Sequence, residues 1–142
     1  MSKAIENEKK VYLKTHEKIS SNEVGAIIKL ERGYVELKFT TRREMVADEL
    51  GLIHGGYIFS AADYAAMAAV NEKNVVLVGS ECKFLSPVKF HDEVNVIARV
   101  EHEEGHKRTV HVEAFVLDLK VFEGDFKTVV TKRHVLEPKL PH

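Results

Sequence analysis

The chain has 142 residues, 44% hydrophobic and 30% charged with both signs interspersed, which suits one soluble domain with a proper core rather than two. A net charge of -1 removes the usual electrostatic reason for binding nucleic acid or an anionic membrane. A single cysteine, Cys82, excludes an internal disulfide and fits a reducing compartment.

In chain order, residues 1–19 are charged, with Ile5, Glu8, Val11 and Tyr12 loosely at helical spacing. This predicts a short amphipathic helix as an N-terminal extension, with the domain proper over 20–138. Val24 to Leu30 reads as a strand, Glu31-Arg32-Gly33 as a turn, and Val35, Leu37 and Phe39 as the inward residues of a second strand. Thr41 to Ile53 is irregular and polar, a candidate functional loop. From Tyr57 to Val70 only Ser60 and Asp63 are strongly polar, so a helix buried nearly all round is predicted, ending at Asn71-Glu72-Lys73-Asn74.

After that helix the pattern has period two. Val75–Phe84 is strand-like and Ser86-Pro87 interrupts it. Val94, Val96, Ala98 and Val100 alternate up to Glu103-Glu104-Gly105-His106, and Val110, Val112, Ala114 and Val116 alternate up to a turn at Glu123-Gly124-Asp125. A last strand is expected over 126–136. Strands without intervening helices give an α+β class, with one curved antiparallel sheet of five to six strands wrapped around one long buried helix. The helix needs cover on the face away from the sheet, and a second copy of the chain is the expected source.

Asp63 among alanines has two readings. It lies at a solvated edge or is satisfied by neighbouring donors, or it belongs to a site. Gly55 and Gly56 either allow a tight turn into the helix or present amides with no intrahelical acceptor at the positive end of the helix dipole. Such fixed donors suit an oxygen that gains charge, with Asp63 as base or nucleophile. Nine positions separate His54 from Asp63, about 13 Å and roughly 900° along a helix, so the two lie on opposite faces. If they cooperate, Asp63 of one subunit meets Gly55 of another.

His54-Gly55-Gly56, then Phe59, Ala62-Asp63 and a small-residue helix, followed by Phe84-Leu85-Ser86-Pro87-Val88, resemble the hotdog-fold acyl-CoA thioesterases. The likeness is to their phenylacetic-acid-pathway-like branch, with His91-Asp92 where that branch often has Gly-Asp. The resemblance spans roughly residues 20–136. It implies a thioester hydrolase with no metal or organic cofactor, as an obligate homodimer that can pair into a homotetramer. Its substrate would be a fatty or aromatic acyl-CoA. The cytoplasm is expected because the N-terminus has no apolar run like a signal peptide's. The Gly55 amide would polarise the thioester carbonyl, His54 would shape that turn, and the partner's Asp63 would attack or activate water. Gly56, Phe59, Ser80, Lys83 and Phe84 are the implied substrate-binding positions. Lys83, Lys107, Arg108, Lys132 and Arg133 are candidates for the coenzyme A phosphates, weighed against ordinary solvated charges.

Two departures stand out. Many members carry Asn where this chain has Asp48, and two carboxylates in one site would resist ionising together. The serine that some members place early in the following strand is matched only by Ser80, a few residues away. The alternative is therefore a non-catalytic hotdog module sensing acyl-CoA or acyl-carrier-protein thioesters. A dehydratase of the same fold uses a different histidine-and-acid arrangement. His102, His106 and His111 lie in or beside one hairpin and read as surface histidines rather than metal ligands. His16, His91, His134 and His142 read as incidental.

Overall fold

The computed structural model describes residues 10–137. Ser20 accepts a hydrogen bond from the Asn22 amide and caps a single helical turn, α1 (Ser21–Val24). Gly25 then reverses the chain at φ 93°, where an added Cβ would lie 2.7 Å from Leu37 Cδ2. Strands β1 (Ala26–Glu31) and β2 (Tyr34–Thr40) follow, joined at Arg32-Gly33. Val35, Leu37 and Phe39 of β2 are wholly buried, as the alternation requires.

The central helix α2 (Gly55–Val70) crosses one face of the sheet, and β3 (Val75–Phe84), β4 (Glu93–Glu104), β5 (Lys107–Val116) and β6 (Leu119–Val130) complete it. The strand order is β1-β2-β4-β5-β6-β3, antiparallel throughout. Because β2 and β3 lie at opposite sides of the sheet, the chain between them must span its width, and α2 does so. Register shifts at Ile27/Lys29, Leu77/Gly79, Val100/His102 and Ala114/Phe115 bend the strands around the helix. Val96, Ala98, Val112, Ala114, Phe122 and Phe126 face it from the sheet.

Several expectations are corrected. Residues 1–9 of the predicted N-terminal helix lie outside the described residues, and residues 10–20 are not helical. Val24 closes α1 instead of opening a strand, because Gly25 breaks the backbone direction. Glu123-Gly124-Asp125 is the middle of β6, not a turn. The reversal falls at Leu117-Asp118, with Leu117 at φ 53°. Gly124 is there for contact: a Cβ would lie 2.6 Å from Cys82 Cβ and 2.9 Å from the Glu81 carbonyl oxygen of β3. The last strand stops at Val130 instead of Leu136.

The burial argument for a second copy also changes. Ala61, Ala62, Ala65, Ala66, Ala68 and Ala69 are already at most 1% exposed within one chain. Residues 12–24 of the same chain supply cover, since α1 packs on α2 and Asn71 pins the segment before it. The Asn71 side chain accepts from the Lys14 amide at 2.7 Å and donates to the Tyr12 carbonyl at 2.8 Å. His91 stands at φ 82°, a conformation that favours glycine.

Gly124→Val forces a branched side chain against the β3 backbone. Overpacking of this kind costs about 1–3 kcal/mol, so a urea melt of the variant should show a correspondingly lower midpoint.

Candidate active site

The loop before α2 is fixed by one carboxylate. Asp48 Oδ1 accepts from the amides of Leu50 at 3.0 Å and Leu52 at 3.1 Å. Gly51 passes through φ 89°, and the loop is tied down by bridges Val46↔Ile53 and Leu52↔Lys89. Within one chain Asp48 thus serves the loop that presents His54, not Asp63.

His54 precedes the first helical residue and its side chain makes no capping hydrogen bond. Its amide donates to the Met45 carbonyl at 2.9 Å. The imidazole folds back over the helix start, so that a Cβ on Gly56 would lie 2.9 Å from His54 Nε2. A Cβ on Gly55 would meet Phe84 Cε2 at 3.3 Å. Both glycines are close-approach positions. Among the described residues, neither the Gly55 nor the Gly56 amide has a recorded acceptor, as expected of the first turn of a helix. An apolar groove of about 310 Å³ opens beside them, walled by Leu52, Ile58, Phe84, Pro87 and Val121.

Asp63 sits further along the same helix, half-buried, with Oδ1 enclosed and without a hydrogen-bond partner among the described residues. Burial pushes its carboxyl from 3.8 up to about 6. A second cavity, of about 150 Å³, adjoins it and is lined by His16, Ile19, Glu23, Tyr57, Ser60 and Tyr64. Burial also raises the Tyr64 hydroxyl. The groove at Gly55 and the cavity at Asp63 share no lining residue. Eight positions on one straight helix separate the two by about 12 Å. One chain thus keeps two kinds of group apart: amide donors beside the groove and a carboxylate beside the cavity.

The remaining predicted positions divide. Ser80 and Phe84 pair with the inward-facing Phe126 and Phe122, so both point to the helix side of β3. Phe84 crosses to the Gly55 groove, and Phe59 packs its ring 5.4 Å from Phe126 in the same layer. Lys83 is exposed beside Phe84. The other candidate cations are not gathered there. Arg108 binds back to Gly105 and Lys107 carbonyls and pairs with Glu103, and Arg133 pairs with Glu137. His111 meets neither His102 nor His106 but Asp125, at 2.8 Å, with Glu101 close by. The residues missed from the sequence are those around Asp63. Gly56, Ser60 and Asp63 recur at helical spacing and could have shown a polar stripe, whereas His16 and Ile19 carry no such signal.

A bent six-stranded antiparallel sheet wrapped around one long helix is the hotdog fold. The chain belongs to the thioesterase superfamily, whose family profile matches residues 50–123. Among curated proteins it is 50% identical over 117 residues to methylthioribose-1-phosphate isomerase of Aquifex aeolicus, covering 82% of this chain and 26% of that protein. It is 30% identical over 117 residues to the transcription factor FapR of Thermoanaerobacter sp., covering 82% and 58%. The chain therefore spans only part of both relatives. An uncharacterized protein from Pyrococcus horikoshii superposes with a TM-score of 0.88 at 42% identity, covering 89% of this chain and 98% of that one. A hypothetical thioesterase of Streptococcus pneumoniae, crystallised with coenzyme A, shares the fold at 21% identity and a TM-score of 0.69, covering 76% and 86%. No helix among the described residues is long and apolar enough to cross a membrane.

The raised Asp63 value fixes a sign. The folded protein holds a proton that the unfolded chain releases near pH 3.8, so the associated stability is present below 3.8 and is lost as pH climbs to about 6. Melting temperatures across that window should fall for the wild type relative to Asp63→Asn. Parallel curves would show that Asp63 is not desolvated.

Proposed function

We propose that this chain is an acyl-CoA thioesterase acting as a homodimer, without metal or organic cofactor. The Gly55 amide of one subunit polarises the thioester carbonyl, and Asp63 of the other is the base or nucleophile. The observation that carries this reading is the enclosed, unpartnered Oδ1 of Asp63. A carboxylate oxygen without a donor in an alanine-rich helix is costly unless a ligand or water completes it. The amides at Gly55 are unmatched in the opposite sense, and each half-site supplies what the other lacks.

β3 is an edge strand with β6 as its one partner in the sheet, and Val78 on it is 61% exposed. Strand edges of this kind pair readily with another copy. A two-fold pairing along β3 sets two α2 helices antiparallel, so the start of one lies beside the middle of the other. In the base route, Asp63 takes a proton from water as its oxygen bonds to the carbonyl carbon. The Gly55 amide holds the oxyanion, the carbon–sulfur bond breaks, and Asp63 returns the proton to the departing thiolate. In the nucleophile route, Asp63 itself bonds to that carbon, the carbon–sulfur bond breaks and the thiolate leaves, taking a proton from solvent. Water then hydrolyses the mixed anhydride, releasing the acid and regenerating the carboxylate. The coenzyme A in the Streptococcus pneumoniae neighbour supports the choice of thiol. Lys83 adjoins Phe84 on β3 but turns to the opposite face of that strand, away from the groove wall.

A second reading has its own support. The likeness to a transcription factor favours a domain that binds acyl thioesters without cleaving them.

Thiol release from short, long and aromatic acyl-CoAs separates the two. The enzyme reading expects turnover on at least one, lower by roughly a hundredfold or more in Asp63→Asn. It also expects a wild-type rate that rises with pH through about 6, as Asp63 ionises. Saturable binding without turnover in both proteins would instead establish the sensor.

A further inference from the structure

The segment before the sheet lies outside the motif that marks the site, yet the structure seats it against Asp63. It is anchored at one end by the Asn71 side chain, which holds the backbone of Tyr12 and Lys14. Asn71 is itself fixed at the end of α2, with φ 53° and its amide donating to the Met67 carbonyl. At the other end the segment runs into the capped turn α1, whose Val24 is buried. Between these ties Thr15 is 5% exposed. His16 takes the left-handed conformation, φ 53°, with Nδ1 sharing a hydrogen bond with Thr15 Oγ1 at 2.7 Å. A non-glycine residue in that region costs energy and persists where surrounding contacts impose it.

The path fits the spacing of the helix. Asn71 and Asp63 are eight residues apart on α2, about 12 Å, and four residues of extended chain, from Tyr12 to His16, cover about 13 Å. The strap runs back along α2 from its C-terminal end and reaches the level of Asp63 at His16 and Ile19. Both line the Asp63 cavity. Ile19 is 43% exposed although it borders an enclosed carboxylate, so an apolar side chain faces space that its own chain does not fill.

We propose that this strap is the acyl-chain stop of the site: His16 and Ile19 form the wall that the acyl group meets, restricting the enzyme to short acyl-CoAs. The inference rests on the reading of Asp63 as the catalytic group. The cavity, about 150 Å³, is about half the volume of the groove beside Gly55, about 310 Å³, a size that suits a short acyl chain. His16 Nε2, free of recorded partners among the described residues, and the hydroxyls of Ser60 and Tyr64 give that end of the cavity polar contacts.

The test is the acyl-length profile of kcat/KM for the full chain, its Ile19→Ala and His16→Ala variants, and Ile28→Ala as a control on the exposed face of β1. The wild type should be most active on short chains. Ile19→Ala and His16→Ala should raise the ratio of long- to short-chain kcat/KM by roughly tenfold, the size expected when a pocket wall is cut back, and Ile28→Ala should not. Should Ile19→Ala fail to fold, Ile19→Val replaces it with a smaller expected shift of the same sign. Hydrolysis with an unchanged profile in both strap variants, or a wild type that prefers long chains, overturns the inference and leaves the thioesterase reading standing. If no acyl-CoA is hydrolysed, that reading fails, and the same panel is read by calorimetric binding. The strap then stands if the variants shift affinity towards longer chains, and falls if they do not or if nothing binds.

Discussion

The interaction on which the rest depends is the seating of α2 in the curve of the sheet. Its buried positions are Ile58, Met67 and the alanines at 61, 62, 65, 66, 68 and 69. Small side chains let the helix backbone approach the sheet closely, and the larger groups of the core come from the strands, chiefly Phe39, Phe122 and Phe126. Close seating removes water from the packed face of the helix and leaves Gly56 and Ser60 exposed on the other. Asp63 stands half-buried at the margin of the packed face and is desolvated by it, and among the described residues it has no salt bridge to offset the loss. The raised proton affinity of Asp63 is a property of the helix packing before it is a property of any reaction.

The same seating fixes the front of the helix. The chain must enter α2 tightly from a loop held by Asp48, and the two glycines are the residues that His54 and Phe84 leave room for. Their bareness serves two ends at once: the aromatic and imidazole rings close in on them, and their amides stay accessible. Because the donors sit at the helix start and the carboxylate lies two turns further on, a rigid helix cannot bring them together. A site that used both groups would have to draw them from two copies of the chain, as in the function proposed above, and the edge strand β3 is free to pair.

Much of this was legible in the residues. The period-two runs at Val94–Val100 and Val110–Val116 gave their strands, and the Tyr57–Val70 run gave the helix, because burial on one face or on all faces writes itself directly into hydrophobic spacing. His54-Gly55-Gly56 and Asp63 were legible for a similar reason: a glycine pair before a buried helix and a charge within it are local exceptions. Gly124 misled. A glycine between Glu123 and Asp125 has the composition of a turn, and only the approach of Cys82 from a strand distant in sequence explains it. The loop-fixing hydrogen bonds of Asp48 to the Leu50 and Leu52 amides were not legible, since a side chain's local hydrogen bonds leave no mark on residue type.

What the sequence by itself determined was the element order, the α+β class, the buried helix and the two kinds of chemical group upon it. These follow from local spacing, which a linear chain records. Only the tertiary structure decided that β3 is an edge, that residues 12–24 cover α2 from within the same chain, and that His16 and Ile19 stand beside Asp63. Those facts depend on where distant segments meet. Asn71 holding the backbone of Tyr12 and Lys14 is a contact across nearly sixty residues, and its energy belongs to backbone amides and carbonyls that every residue carries, so no choice of side chain at positions 12 or 14 announces it.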